Sequence, residues 1–160
     1  MAVRKGIPDN EFSRDTKILS VSFGKDCRYI GKNAFLECTS LSKINDGNNI
    51  DTISVSAFAS TKLSSATFNG LINLYDGAFE NCSELYYISI PECISIPSSA
   101  FKNCISLKDI EIKKTSSIKD DAFNGCRELS SISASLCEEI GKMIFSMVAK
   151  LQSGTRKPDH

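Results

Sequence analysis

Histidine is almost missing from this chain: the one imidazole, His160, is the last of 160 residues. A Ser-His-Asp or Cys-His centre needs an imidazole held beside its nucleophile. A residue in the tail SGTRKPDH is not held that way, which argues against His-based catalysis. A charge excess is also missing, since 19 basic residues balance 19 acidic ones. No general electrostatic pull toward nucleic acid or anionic membrane follows from such a balance. Long apolar runs are absent, so no segment reads as a bilayer-spanning helix. The first residues, MAVRKGIPDNEFSRD, carry early basic residues with no apolar stretch behind them, unlike a secretory signal peptide. As written, the chain is expected to stay in the cytosol. Gly-Lys pairs occur at Gly24-Lys25, Gly31-Lys32 and Gly141-Lys142, none in a loop of phosphate-cradling length.

What is present is a repeat. Seven phenylalanines, Phe12, Phe35, Phe58, Phe79, Phe101, Phe123 and Phe145, follow one another at spacings of 23, 23, 21, 22, 22 and 22 residues. Five residues before each stands an aliphatic residue: Ile7, Ile30, Ile53, Leu74, Ile96, Ile118 and Ile140. Ala precedes the Phe in the five inner copies, and Cys38, Cys82, Cys104 and Cys126 follow it by three. Leu and paired Ile positions come next, giving I-x-x-x-A-F-x-x-C-x-x-L-x-x-I-x-I. One such unit cannot bury its own apolar side, whereas stacked units share a continuous core.

The L-x-x-I-x-I portion alternates like a strand, with inward aliphatic and outward polar residues. Strands from successive coils then form a parallel sheet on the concave side, each coil advancing about 5 Å. The A-F-x-x-C segment is expected to make a short α or 3₁₀ turn on the convex side. The aliphatic residue five before Phe is placed in a second short strand. The Asp46-Gly47 turn signal coincides with a 23-residue copy, so the extra residue is expected to bulge there. The predicted organisation is a tail over 1–6, one solenoid domain of about six coils over 7–151, and a tail over 152–160.

This pattern resembles the BspA-type leucine-rich repeat. IGKNAFLECTSLSKI, LYDGAFENCSELYYISIP, IPSSAFKNCISLKDIEI and IKDDAFNGCRELSSISA carry the resemblance, which spans about Ile7 to Leu151. Members of that family are surface proteins of bacteria and surface antigens of protozoan parasites. The resemblance implies a leucine-rich-repeat solenoid, adhesion or binding to host-matrix and other proteins, display at a cell surface, and neither catalysis nor a cofactor.

The seven cysteines fall into two repeat positions. Cys27, Cys93 and Cys137 share the one eight residues before Phe, which Ile50, Leu71 and Thr115 fill elsewhere. Buried free Cys acts as a small hydrophobe, and no C-x-x-C pair suggests zinc. In-register coils keep neighbouring Cβ atoms about 5 Å apart, wider than a disulfide takes. Reduced, structural thiols are the expectation. The acidic pairs Asp120-Asp121, Glu138-Glu139 and Asp109 with Glu111 sit at solvent positions rather than in a cleft that would split two pKa values. Asn81-Cys82-Ser83 is formally a glycosylation acceptor, but its Cys is placed in the core.

Function is therefore sought on the outward side of the sheet. Period two assigns Ser20, Ser22, Lys43, Asn45, Ser65, Thr67, Tyr87, Ser89, Asp109, Glu111, Ser131 and Ser133 to that face. Small residues leave it flat, and Tyr87 is its sole aromatic, next in space to Asp109 and Glu111. The candidate protein-binding residues are Lys43, Asn45, Tyr87, Ser89, Asp109 and Glu111, with a basic or Arg-bearing partner. An alternative rests on the apolar last turn around Met143 to Val148: end-to-end self-association, or the edge of a longer surface array.

Overall fold

The computed structural model describes residues 5–130 and Ile132, together with the backbone of Glu139 and Ile140. Twelve strands are described. In chain order they are β1 (Gly6–Ile7), β2 (Ser20–Ser22), β3 (Tyr29–Ile30), β4 (Lys43–Asn45), β5 (Thr52–Ile53) and β6 (Ser65–Thr67). Then come β7 (Asn73–Leu74), β8 (Tyr87–Ser89), β9 (Ser95–Ile96), β10 (Asp109–Glu111), β11 (Ser117–Ile118) and β12 (Glu139–Ile140). Every described pairing is parallel and joins one coil to the next. The molecule is a leucine-rich-repeat solenoid with two strand stacks. The three-residue strands form one and the two-residue strands the other, as the placement of Ile30, Ile53 and Ile96 required.

Each stack is broken once, and each break has a cause in the sequence. The three-residue strands divide into β2-β4 and β6-β8-β10. At the break lies the Asp46-Gly47 insertion. Asp46 is left-handed at φ 58°, and Gly47–Asn49 form one turn of 3₁₀ helix. A Cβ on Gly47 would stand 2.7 Å from the Thr67 carbonyl oxygen and 2.8 Å from Phe68 Cδ1. Glycine is required there for close approach, while Asp46 takes the left-handed backbone. The two-residue strands divide into β1-β3-β5-β7 and β9-β11-β12. In other coils the residue after the buried aliphatic donates its N–H to the preceding coil: Gly31 to Ile7, Ser54 to Ile30, Tyr75 to Ile53 and Lys119 to Ile96. Pro97 occupies that position next to Leu74 and has no N–H to give.

The arch around each Phe is not a helix. It is a run of single turns with two left-handed residues per coil, two before and two after the Phe. Asn10 and Arg14, Asn33 and Glu37, Ser56 and Ser60, Gly77 and Asn81, Ser99 and Asn103, and Asp121 and Gly125 all have positive φ. Small polar residues and glycine tolerate that region best. The reward is a third inter-coil ladder. Asn33, Phe35 and Glu37 donate to Val55, Ala57 and Ala59 of the next coil at 3.0, 2.8 and 2.9 Å. The intervening Ala34, Leu36 and Cys38 close turns onto Gly31, Asn33 and Phe35. A continuous helix would direct all these N–H groups within one coil and lose the ladder.

The core runs the length of the stack. Phe12, Phe35, Phe58, Phe79, Phe101 and Phe123 stack with centroids 5.2 to 5.5 Å apart and planes within 17°. Phe23 and Phe68 form a second aromatic set that packs edge-on or tilted against this column. The six described cysteines are buried free thiols. They do more than fill space: the Cys38, Cys82, Cys104 and Cys126 thiols donate to the carbonyls of Phe12, Phe58, Phe79 and Phe101 in the preceding coil, at 3.0 to 3.1 Å. Burial pushes the Cys93 thiol up to about 11 and the Cys126 thiol up to about 12. The expectations for Ser131, Ser133, Cys137, the apolar turn around Met143 to Val148, and His160 lie outside the described residues.

Candidate binding face

The inward positions of the three-residue strands are apolar as period two requires, although the outward Ser89 is buried as well. Ala66, Ile88 and Ile110 are buried, Val21 and Ile44 half-buried. Tyr87 lies opposite Asp109, and Ser89 opposite Glu111, in the β8–β10 register. These four residues are brought together. Lys43 and Asn45, on β4, lie across the break from the β6-β8-β10 sheet, and Ser65 and Thr67 separate them from Tyr87 and Ser89.

Glu111 organises the cluster. Its Oε2 accepts from the Ser89 hydroxyl at 2.7 Å and the Tyr87 hydroxyl at 3.3 Å. Its Oε1 pairs with Lys113 Nζ at 2.7 Å. The Lys113 hydrogen bond, then that from Ser89, holds the Glu111 carboxyl below its ordinary range. The same pairing raises the Lys113 ammonium. Lys113 escapes a period-two reading because it lies two residues past Glu111, beyond the strand end.

This geometry changes the roles of the candidate residues. Ser89 is only 3% exposed, so it supports Glu111 rather than offering a contact of its own. Glu111 already has its cation. Asp109 is exposed and makes no side-chain hydrogen bond or ion pair among the described residues, and Lys43 is in the same condition. Tyr87 is half-buried with its hydroxyl tethered, which holds its ring over the sheet. The result is an ordered polar and aromatic surface on β8 and β10.

Two other features frame the site. A cavity of about 480 Å³ opens at the N-terminal end, lined by Ile7, Pro8, Phe12, Phe23 and Cys27 among others, and contains none of the candidate residues. Among the described residues no three His, Cys, Asp or Glu side chains are placed to hold a metal ion. No described helix is long and apolar enough to cross a membrane.

A solenoid of parallel two- and three-residue strands, repeating about every 22 residues around a Phe column, defines a leucine-rich-repeat protein. The BspA-type leucine-rich repeat model matches residues 5–130 and 72–157 in six copies, and the chain belongs to that family. Its fold is similar to a leucine-rich repeat protein of T. pallidum, with a TM-score of 0.77 and 24% identity over 85% of this chain and 66% of that one. It is also similar to a leucine-rich repeat protein of Bacteroides ovatus, with a TM-score of 0.63 and 21% identity over 84% of this chain and 43% of that one. The chain thus spans under two thirds of either relative's length. Among curated proteins, none matches this sequence. Repeats of this kind serve generally as protein-interaction or structural modules rather than catalysts.

Proposed function

We propose that this chain is a non-catalytic protein-binding module whose contact centre is the Tyr87–Asp109–Glu111 cluster on the outward face of β8 and β10. The observation that carries the reading is the tether of Tyr87 and Ser89 to Glu111. It fixes an aromatic ring beside an exposed, unpaired Asp109. A pre-ordered aromatic anchor loses little side-chain entropy on binding. Because Lys113 already neutralises Glu111, a partner's Arg or Lys is directed to Asp109. Lys43 and Asn45 extend the contact along the stack toward an acidic or polar part of the same partner. Family resemblance points to adhesion, with a host-matrix or cell-surface protein as the partner class.

The test is quantitative binding of a partner first identified by affinity capture. Tyr87→Ala and Asp109→Lys are each expected to weaken it by about tenfold or more, the loss of one central contact. A serine replacement at Asn73, on the other strand stack, serves as the control. Equal affinity of wild type, Tyr87→Ala and Asp109→Lys would remove this face as the site.

A further inference from the structure

A second surface, on the other strand stack, is apolar without structural need. Ile72 and Ile94 are 42% and 52% exposed, and Tyr75 is 49% exposed. Ile72 and Ile94 occupy the same position in consecutive coils, and the Ile94 N–H donates to the Ile72 carbonyl at 3.3 Å. That position holds Arg28, Asp51 and Ser116 in other coils, so the fold does not require an aliphatic residue there. Tyr75 shares its position with Gly31, Ser54, Pro97 and Lys119, so the same holds. Two repeat positions in two consecutive coils thus carry Ile72, Tyr75, Ile94 and Pro97 on the short-strand stack, where polar residues or glycine stand in other coils. Large apolar side chains left exposed on consecutive coils point to an interaction surface.

The charges at its border select the occupant. Asp51 precedes Ile72 in the same column, and Asp76 follows Tyr75 in the chain. Asp76 is exposed, and its carboxylate has no partner among the described residues. Of the cations around this side, Lys114 is neutralised by Glu92, whereas Arg28 donates to the neutral Asn49 carbonyl at 3.3 Å, keeps its charge, and adjoins Asp51 in the coil further from Ile72. Lys119 stands on the far side, past Pro97. Asp51 is thus answered by Arg28 and by the Thr52 hydroxyl at 2.9 Å, which leaves Asp76, next to Tyr75, as the open anion at the border; its complement is a cation beside an apolar anchor.

We infer that the face of Ile72, Tyr75, Ile94 and Pro97 docks a peptide segment carrying aliphatic side chains beside an Arg or Lys, with the cation over Asp76. This surface is independent of the Tyr87 cluster. The probe is a short synthetic peptide with paired leucines and paired arginines, titrated into protein labelled at the isoleucine methyls and followed by NMR. The Ile72 and Ile94 methyls are expected to shift. Ile94→Asp should weaken binding about tenfold or more, the loss of one buried aliphatic contact. Replacing the arginines by glutamates should weaken it comparably, and Asp76→Lys should reverse that preference. Tyr87→Ala should leave the titration unchanged, which separates this face from the one proposed above. No shift at either methyl, equal binding of the Arg and Glu peptides, or shifts confined to the β8–β10 face would overturn the inference. So would concentration-dependent dimerisation abolished by Ile94→Asp, which would give the patch to a second copy instead.

Discussion

Phe79→Ala is expected to destabilise the fold by about 3–5 kcal/mol, the range for removing a buried aromatic ring. Phe79 is fully buried and stacks on Phe58 at 5.4 Å and Phe101 at 5.5 Å. It also packs against Phe68 of the second aromatic set, at 6.1 Å. Three ring contacts and the core volume vanish together. A solenoid's stability is nearly a sum of coil and interface contributions, so one such change weakens two interfaces at once. Domains of ordinary stability hold about 5–15 kcal/mol in total, so the variant should unfold at a much lower urea concentration. Tyr86→Ala, at a 52% exposed site, should change stability by no more than about 0.5 kcal/mol. A Phe79→Ala protein within about 1 kcal/mol of wild type would mean that the column is not what joins the coils.

Alkaline pH is expected to unfold the protein through its thiols. Cys93 and Cys126 are raised from 9.0 to about 11 and about 12, because burial penalises the thiolate. In the unfolded chain these groups ionise near 9, while the folded chain keeps them protonated. Between pH 9 and 11 the unfolded state therefore binds fewer protons, and stability falls as pH rises. It is fully present below about 9 and declines by roughly 1.4 kcal/mol per pH unit per thiol above it. The pair thus removes at most about 3 kcal/mol for each unit, reached where both thiols are ionised in the unfolded chain and still protonated in the folded one. Urea unfolding from pH 8 to 10.5 checks this against a Cys93→Ala, Cys126→Ala double variant. Tyrosine and lysine titrations are common to both proteins and cancel in the difference. The double variant should be less stable at pH 8 but show a shallower decline. Parallel declines would contradict the assignment.

The interior of this fold was legible because a solenoid writes its core periodically. The Phe spacing located the stacked column, and the aliphatic residue five before each Phe located the second set of strands. Features set by single departures from the period were not legible in that way. Phe23 and Phe68 escaped because their offsets from the anchoring Phe differ by one residue, the third copy being short. The left-handed pairs in the arch had a signal in the Asn, Ser, Gly and Asp two residues before each inner Phe, residue types suited to that backbone. The A-F-x-x-C spacing hid it by also fitting a helical turn. The break at Pro97 required knowing that the N–H after the buried aliphatic serves the preceding coil.

The candidate site was legible in part. Register alone set Tyr87 against Asp109 and Ser89 against Glu111, as found. Neutralisation of Glu111 by Lys113 depends on a side chain beyond the alternating stretch, so period two could not supply it. Nor could it show that Glu111 covers Ser89. The apolar residues Ile72, Tyr75 and Ile94 flank the two-residue strands, outside the alternating stretch that period two reads. Their signal was a comparison down each column, where aliphatic residues replace Arg28, Asp51 and Ser116.

Hydrogen–deuterium exchange of the partner-bound chain tests the binding reading most directly. Segments 85–90 and 107–113, carrying Tyr87, Ser89, Asp109 and Glu111, should gain protection on binding, with a smaller gain around Lys43 and Asn45. Protection confined to the Phe arches, with segments 85–90 and 107–113 exchanging as in the free chain, would contradict it.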